Sequence, residues 1–126
     1  MTEDVNMMRE LTLEDFIAMS KKPRKVLRIS VPEMGGETHV RRLTCREMDR
    51  LEIANMRDDD NDSIRARSLA IYICNADGIQ MFCADIPEHL EFLRNLPRPI
   101  ADYVLRKAMQ VNTSTADDAV EKAVKN

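Results

Sequence analysis

Residues 63–96 read SIRARSLAIYICNADGIQMFCADIPEHLEFLRNL, and the fold turns on how this stretch is parsed. An apolar run, an Asn-Ala-Asp-Gly turn, a β-like segment and a helix signal follow one another without a linker, as in a compact core unit. Ile64, Ala66, Leu69, Ala70 and Ile73 recur at helical spacing and Asp62 stands in a capping position, so a helix is expected over 63–74. The part 69–74 is also an unbroken apolar run rich in β-branched residues, and a hairpin through 75–78 competes with that helix. Asp77-Gly78 then turns the chain into a short strand over 79–82. Asp85, with Glu88 three residues on and Pro87 in the tolerant first turn, is expected to cap a helix carrying Ile86, Leu90 and Leu93 on one stripe.

Downstream, Pro97-Arg98-Pro99 stops that helix and opens another, whose inward stripe is Ile100, Val104, Ala108 and Val111, with Ala101 and Leu105 beside it. Past Asn112 the composition shifts to Thr, Ser, Ala, Asp and Lys, which marks 113–126 as a flexible or weakly helical tail. Upstream, Thr44-Cys45-Arg46-Glu47 is a capping box for a helix running to about Met56, with Met48, Leu51 and Ala54 or Asn55 inward. Before it, Leu27, Ile29 and Val31 alternate with Arg28 and Ser30. A matching segment runs over 38–43, and Gly35-Gly36 lies between the two. This is an antiparallel hairpin at about 25–43. Thr12 with Asp15 opens a short amphipathic helix carrying Leu13, Phe16, Ile17 and Met19, which Pro23 closes. The expected architecture is a mainly α, α+β class: one small helical domain over 1–112 with an N-terminal β-hairpin and a short extra strand.

Composition agrees with a folded chain. Of 126 residues, 44% are hydrophobic and 33% charged, a balance that excludes a disordered polymer. Aromatics are 4% while Met reaches 9, so aliphatic and thioether side chains must fill the core. The net charge of −3 hides segregation. Lys21, Lys22, Arg24, Lys25 and Arg28 form a basic cluster, and Asp58, Asp59, Asp60 and Asp62 an acidic run. The basic cluster lacks interleaved aromatics and reads as a solvated connector rather than a nucleic-acid footprint. The acidic run lacks the Gly and Glu that a calcium loop needs at its sixth and twelfth positions. No apolar run approaches the ~20 residues that span a bilayer, and no secretory signal opens the chain, so a cytosolic protein without nucleic-acid or membrane partners is expected.

Cys45, Cys74 and Cys83 suit reduced, buried thiols better than a disulfide framework. Cys83 with His89, or Cys45 with His39, could pair a thiol with a base, but neither has an orienting third group or an oxyanion motif. The Cys and His spacings do not form a zinc signature. No catalytic residue, cofactor or metal ligand is expected.

Together, Pro32-Glu33-Met34-Gly35-Gly36, Val40-Arg41-Arg42-Leu43-Thr44, Glu47, Asn75-Ala76-Asp77-Gly78, Met81-Phe82, Asp85 and the closing Val111-Asn112 resemble the tail assembly chaperones of long-tailed bacteriophages and prophages. The resemblance covers about 11–112. It implies a non-enzymatic binding protein of the host cytoplasm that coats the tape measure protein, recruits major tail subunits and is absent from the finished tail. Such chaperones commonly occur in two lengths, the longer made by frameshifting, which makes 113–126 a candidate junction to an appended domain. Self-association is also implied. The hairpin residues Leu27, Ile29, Val31, Met34 and Val40 are the candidate interface, through edge pairing and apolar anchoring; the same residues equally suit a face that covers the domain's own helices. A small regulatory or nucleic-acid-binding protein using Lys21 to Arg28 with Arg41, Arg42 and Arg46 is the alternative.

Overall fold

The computed structural model describes residues 8–57 and 62–113. Their order is α1 (Leu13–Ser20), β1 (Val26–Val31), a 3-10 turn (Pro32–Met34), β2 (Gly36–Arg41), α2 (Cys45–Met56), α3 (Ile64–Tyr72), β3 (Ile73–Cys74), α4 (Pro87–Arg94) and α5 (Arg98–Thr113). Residues 58–60 of the acidic run, and the tail from residue 114, lie outside the described residues.

The expected α+β class is the one observed: helices against a three-stranded antiparallel sheet of order β1-β2-β3. In the hairpin Leu27 stands opposite Val40, Ile29 opposite Thr38 and Val31 opposite Gly36, so one face carries Leu27, Ile29, Val31 and Val40. That face meets Leu69, Ala70 and the inward stripe of α5 (Ile100, Val104, Ala108 and Val111) in one core. Pro32–Met34 and Gly35, the latter at φ 72°, make the turn tighter than the glycine pair suggests, so β2 begins at Gly36 instead of Thr38 and ends at Arg41.

The helix-or-strand ambiguity resolves into both. The helix stops at Tyr72, and Ile73 turns extended (φ −72°, ψ 131°) to pair with Val40 while Cys74 pairs with His39. The competing sheet wins two residues because the inner strand β2 offers unpaired backbone groups on that side. The strand expected over 79–82 is reduced to a single bridge between Cys74 and Gln80, so the short extra strand is Ile73–Cys74 instead. A two-residue β3 leaves nothing longer for the returning chain to pair with.

Both aspartate caps are corrected. Ser63, not Asp62, is the N-cap residue of α3, and no side chain caps it. At α4 the N-cap residue is Ile86, held extended (φ −99°, ψ 111°) by the following Pro87, so Asp85 falls outside the cap. The two capping boxes form as expected. Thr12 and Asp15 close the start of α1, and Thr44 and Glu47 that of α2. The amphipathic helix expected at the start forms as α1, and none of its residues is buried. Among the described residues no helix is long and apolar enough to cross a membrane.

Candidate interaction surface

Of the motif residues that carry the family resemblance, Arg41, Arg42, Leu43, Thr44, Glu47, Asn75, Gly78, Val111 and Asn112 meet along one seam between the sheet, the 75–78 turn and the end of α5, while residues 32–36 turn the hairpin at its other end. Arg41 closes β2 and is buried at 5% exposure. Its guanidinium donates to the Ile71 carbonyl (2.8 Å), the Gly78 carbonyl (3.3 Å) and Gln80 Oε1 (3.1 Å), and lies 3.6 Å from Glu47. Glu47 is also gripped by Arg24, at 3.0 and 3.2 Å. Desolvation opposes ionisation of Glu47, but the hydrogen bonds from Arg24 and from the Thr44 amide prevail and hold its carboxyl below the ordinary value. Desolvation likewise lowers Arg41, whose guanidinium nonetheless stays charged at neutral pH, as an arginine does in a folded protein.

The turn itself is an Asx turn. Asn75 Oδ1 accepts from the amides of Asp77 and Ile79, and Gly78 takes φ 82° where a Cβ would meet Val26 Cγ2 at 3.2 Å. At the other side, Asn112 accepts from the Leu43 amide (2.7 Å) and donates to the Arg41 carbonyl (3.0 Å), while Arg42 donates to the Val111 carbonyl (3.0 Å). The seam is therefore a structural lock. Buried Arg41, and Lys107 at 3% exposure among the core residues of α5, were hidden from the sequence because periodicity reads only apolar positions.

His89 Nδ1 accepts from the Cys83 backbone amide at 2.9 Å, and its ring stacks edge-on against Phe82 at 5.7 Å, so the imidazole supports the loop before α4. Of the three thiols expected to be buried, only Cys74 is; Cys45, the first residue of α2, is exposed, and Cys83 is intermediate. Burial pushes the Cys74 thiol up. Among the described residues, no three His, Cys, Asp or Glu gather in a metal-holding group.

Of the five candidate hairpin residues, Leu27, Ile29, Val31 and Val40 are buried in the chain's own core, and Met34 alone is exposed, at 65%. The alternation that singled out these four places them on the inner face, where α5 packs. What the hairpin still offers outward is Met34 and the backbone edge of β1. Larger apolar exposure lies elsewhere. On α1, Leu13, Phe16, Ile17 and Met19 form one exposed arc. A cleft of about 590 Å³ opens where α3, α4 and the first turns of α5 meet, with Ile64, Leu93 and Leu105 below and Arg65, Arg94 and Arg98 around it.

No protein-family model matches the sequence, and no curated protein matches it. In structure, the chain is similar to the bacteriophage HK97 tail assembly chaperone, with a TM-score of 0.55 over 92% of this chain and 100% of that one, at 17% identity. The fold is that of a tail assembly chaperone. The likeness covers nearly the whole chain, so it is one of architecture rather than of a single motif.

Proposed function

We propose that this protein is a tail assembly chaperone of a long-tailed phage or prophage, working in the bacterial host cytoplasm. It binds the tape measure protein, brings tail-tube subunits to it and leaves before the virion is complete. The observation that carries this reading is the fold shared along the full length of the HK97 chaperone. Exposed apolar side chains on a small rigid body suit weak, displaceable contacts, which belong at the small and polar end of the interface range. In this reading an extended form, made by frameshifting beyond the described residues, carries the tail-tube contact. The hairpin contributes Met34 and the open edge of β1, since an edge strand accepts an incoming extended segment.

The test is co-expression with the very long helical product of a neighbouring reading frame. The chaperone should copurify with it and keep it soluble. A tape measure that stays insoluble beside a folded, abundant chaperone would sink the proposal. For the hairpin, Met34→Glu is the informative variant, because Met34 is exposed and a charge there leaves the core intact, unlike a charge at buried Ile29.

A further inference from the structure

The chain enters the domain from α1 and leaves it after α5 at one corner. We infer that residues 114–126 fold back as a helix along α1 and cover its arc of Leu13, Phe16, Ile17 and Met19. An eight-residue helix that buries none of its residues is marginal on its own in water. Its capping box and the grip of Arg9 on Asp15 secure one end, but its four apolar side chains stabilise nothing until something packs on them.

Three hydrogen bonds define the corner. The Arg42 amide donates to the Lys25 carbonyl (3.0 Å), Arg42 Nε donates to the Val111 carbonyl (3.0 Å), and Asn112 accepts from the Leu43 amide (2.7 Å). Helix α1 ends at Ser20, just before Lys25 in the chain, and α5 ends at Thr113, next to Asn112. Residues 20–25 reach about 17 Å at full stretch, and residues 114–126 wound as a helix are about 20 Å long, enough to run the length of α1. One segment arrives at the corner and the other departs from it. Side by side they are antiparallel.

That direction matches charge along its whole length. The segment carries Asp117, Asp118 and Glu121 first, then Lys122 and Lys125. Laid antiparallel, its acidic half meets Lys21 and Lys22 just past α1, and its lysines point toward Glu14 and Glu10 at the start of α1. A parallel arrangement would set like charges together. Glu10, Glu14, Lys21 and Lys22 are exposed, and none of them makes an ion pair among the described residues. Ala116, Val120, Ala123 and Val124 recur at helical spacing and supply the apolar stripe that faces the arc. A contact of this size is displaceable, so the arc opens to a partner when the segment lifts away.

The chain has no Trp, so Phe16→Trp puts a single fluorescent reporter on the arc and keeps it aromatic. In the full chain its emission should be blue-shifted and weakly quenched by acrylamide, and dilution should leave both unchanged. Adding Val120→Asp should shift the emission to the red and raise the quenching, with circular dichroism confirming the fold. Lys21→Glu with Lys22→Glu should expose the reporter in the same way, and Asp117→Lys with Asp118→Lys in that background should restore the protected spectrum. A reporter equally exposed with and without Val120→Asp, a protection that fades on dilution and so comes from a second copy, or charge reversals that fail to rescue one another overturn the proposal. No phage component enters the experiment, so its failure leaves the functional reading above standing.

Discussion

At the scale of single residues, stability depends most on charges that the fold takes out of water. Arg41 satisfies two backbone carbonyls and one side-chain oxygen that its loss would leave without this donor. Arg41→Met, which keeps the volume and removes the donors, should cost about 2–4 kcal/mol, read from the shift of a urea midpoint at unchanged slope. Glu47 gives a pH signature. Its folded carboxyl titrates below the ordinary value of 4.5, so its contribution is complete above that value and is lost as pH falls through the lower folded one. Glu47→Gln should therefore weaken the protein by about 1–2 kcal/mol at pH 7 and flatten the acid limb of its stability profile. An acid limb identical to wild type would show that Arg24 and Arg41 do not depend on that charge. Arg41 and Glu47 stood in the sequence as motif letters, but only the folded chain shows Arg41 and Arg24 sharing that one carboxylate.

Among the elements, local chemistry and tertiary demand can be told apart. Each capping box is complete within four residues, so its reading survives folding unchanged. Thr44→Ala removes the hydroxyl that accepts from the Glu47 amide and should cost about 1 kcal/mol by thermal or chemical melting, with the fold retained. The aspartate caps failed for the opposite reason. Asp85 has the right side chain, but Pro87 forces Ile86 into the extended conformation and moves the helix start past it. Residues 69–74 satisfied two periodicities at once, and the free side of β2 decided where one gave way to the other.

For the whole molecule, the fold is a core of hairpin, α3 and α5 to which α1 is tethered. Because α1 buries no residue, a chain lacking residues 1–20 should unfold in a single cooperative transition with a midpoint within about 2 °C of the full chain. A large loss would mean that α1 covers the body in solution. The sequence by itself determined the class, the hairpin, both capping boxes, the turn glycine at 78 and the inward stripe of α5, because each follows from spacing or cap chemistry within a few residues. It also placed Leu27, Ile29, Val31 and Val40 on one face, without saying whether that face is interior or exposed. Only the tertiary structure decided that, by laying α5 against them and leaving α1 uncovered. Periodicity reports that a face is apolar; what covers it depends on residues far away in the chain, whose arrival no local pattern encodes.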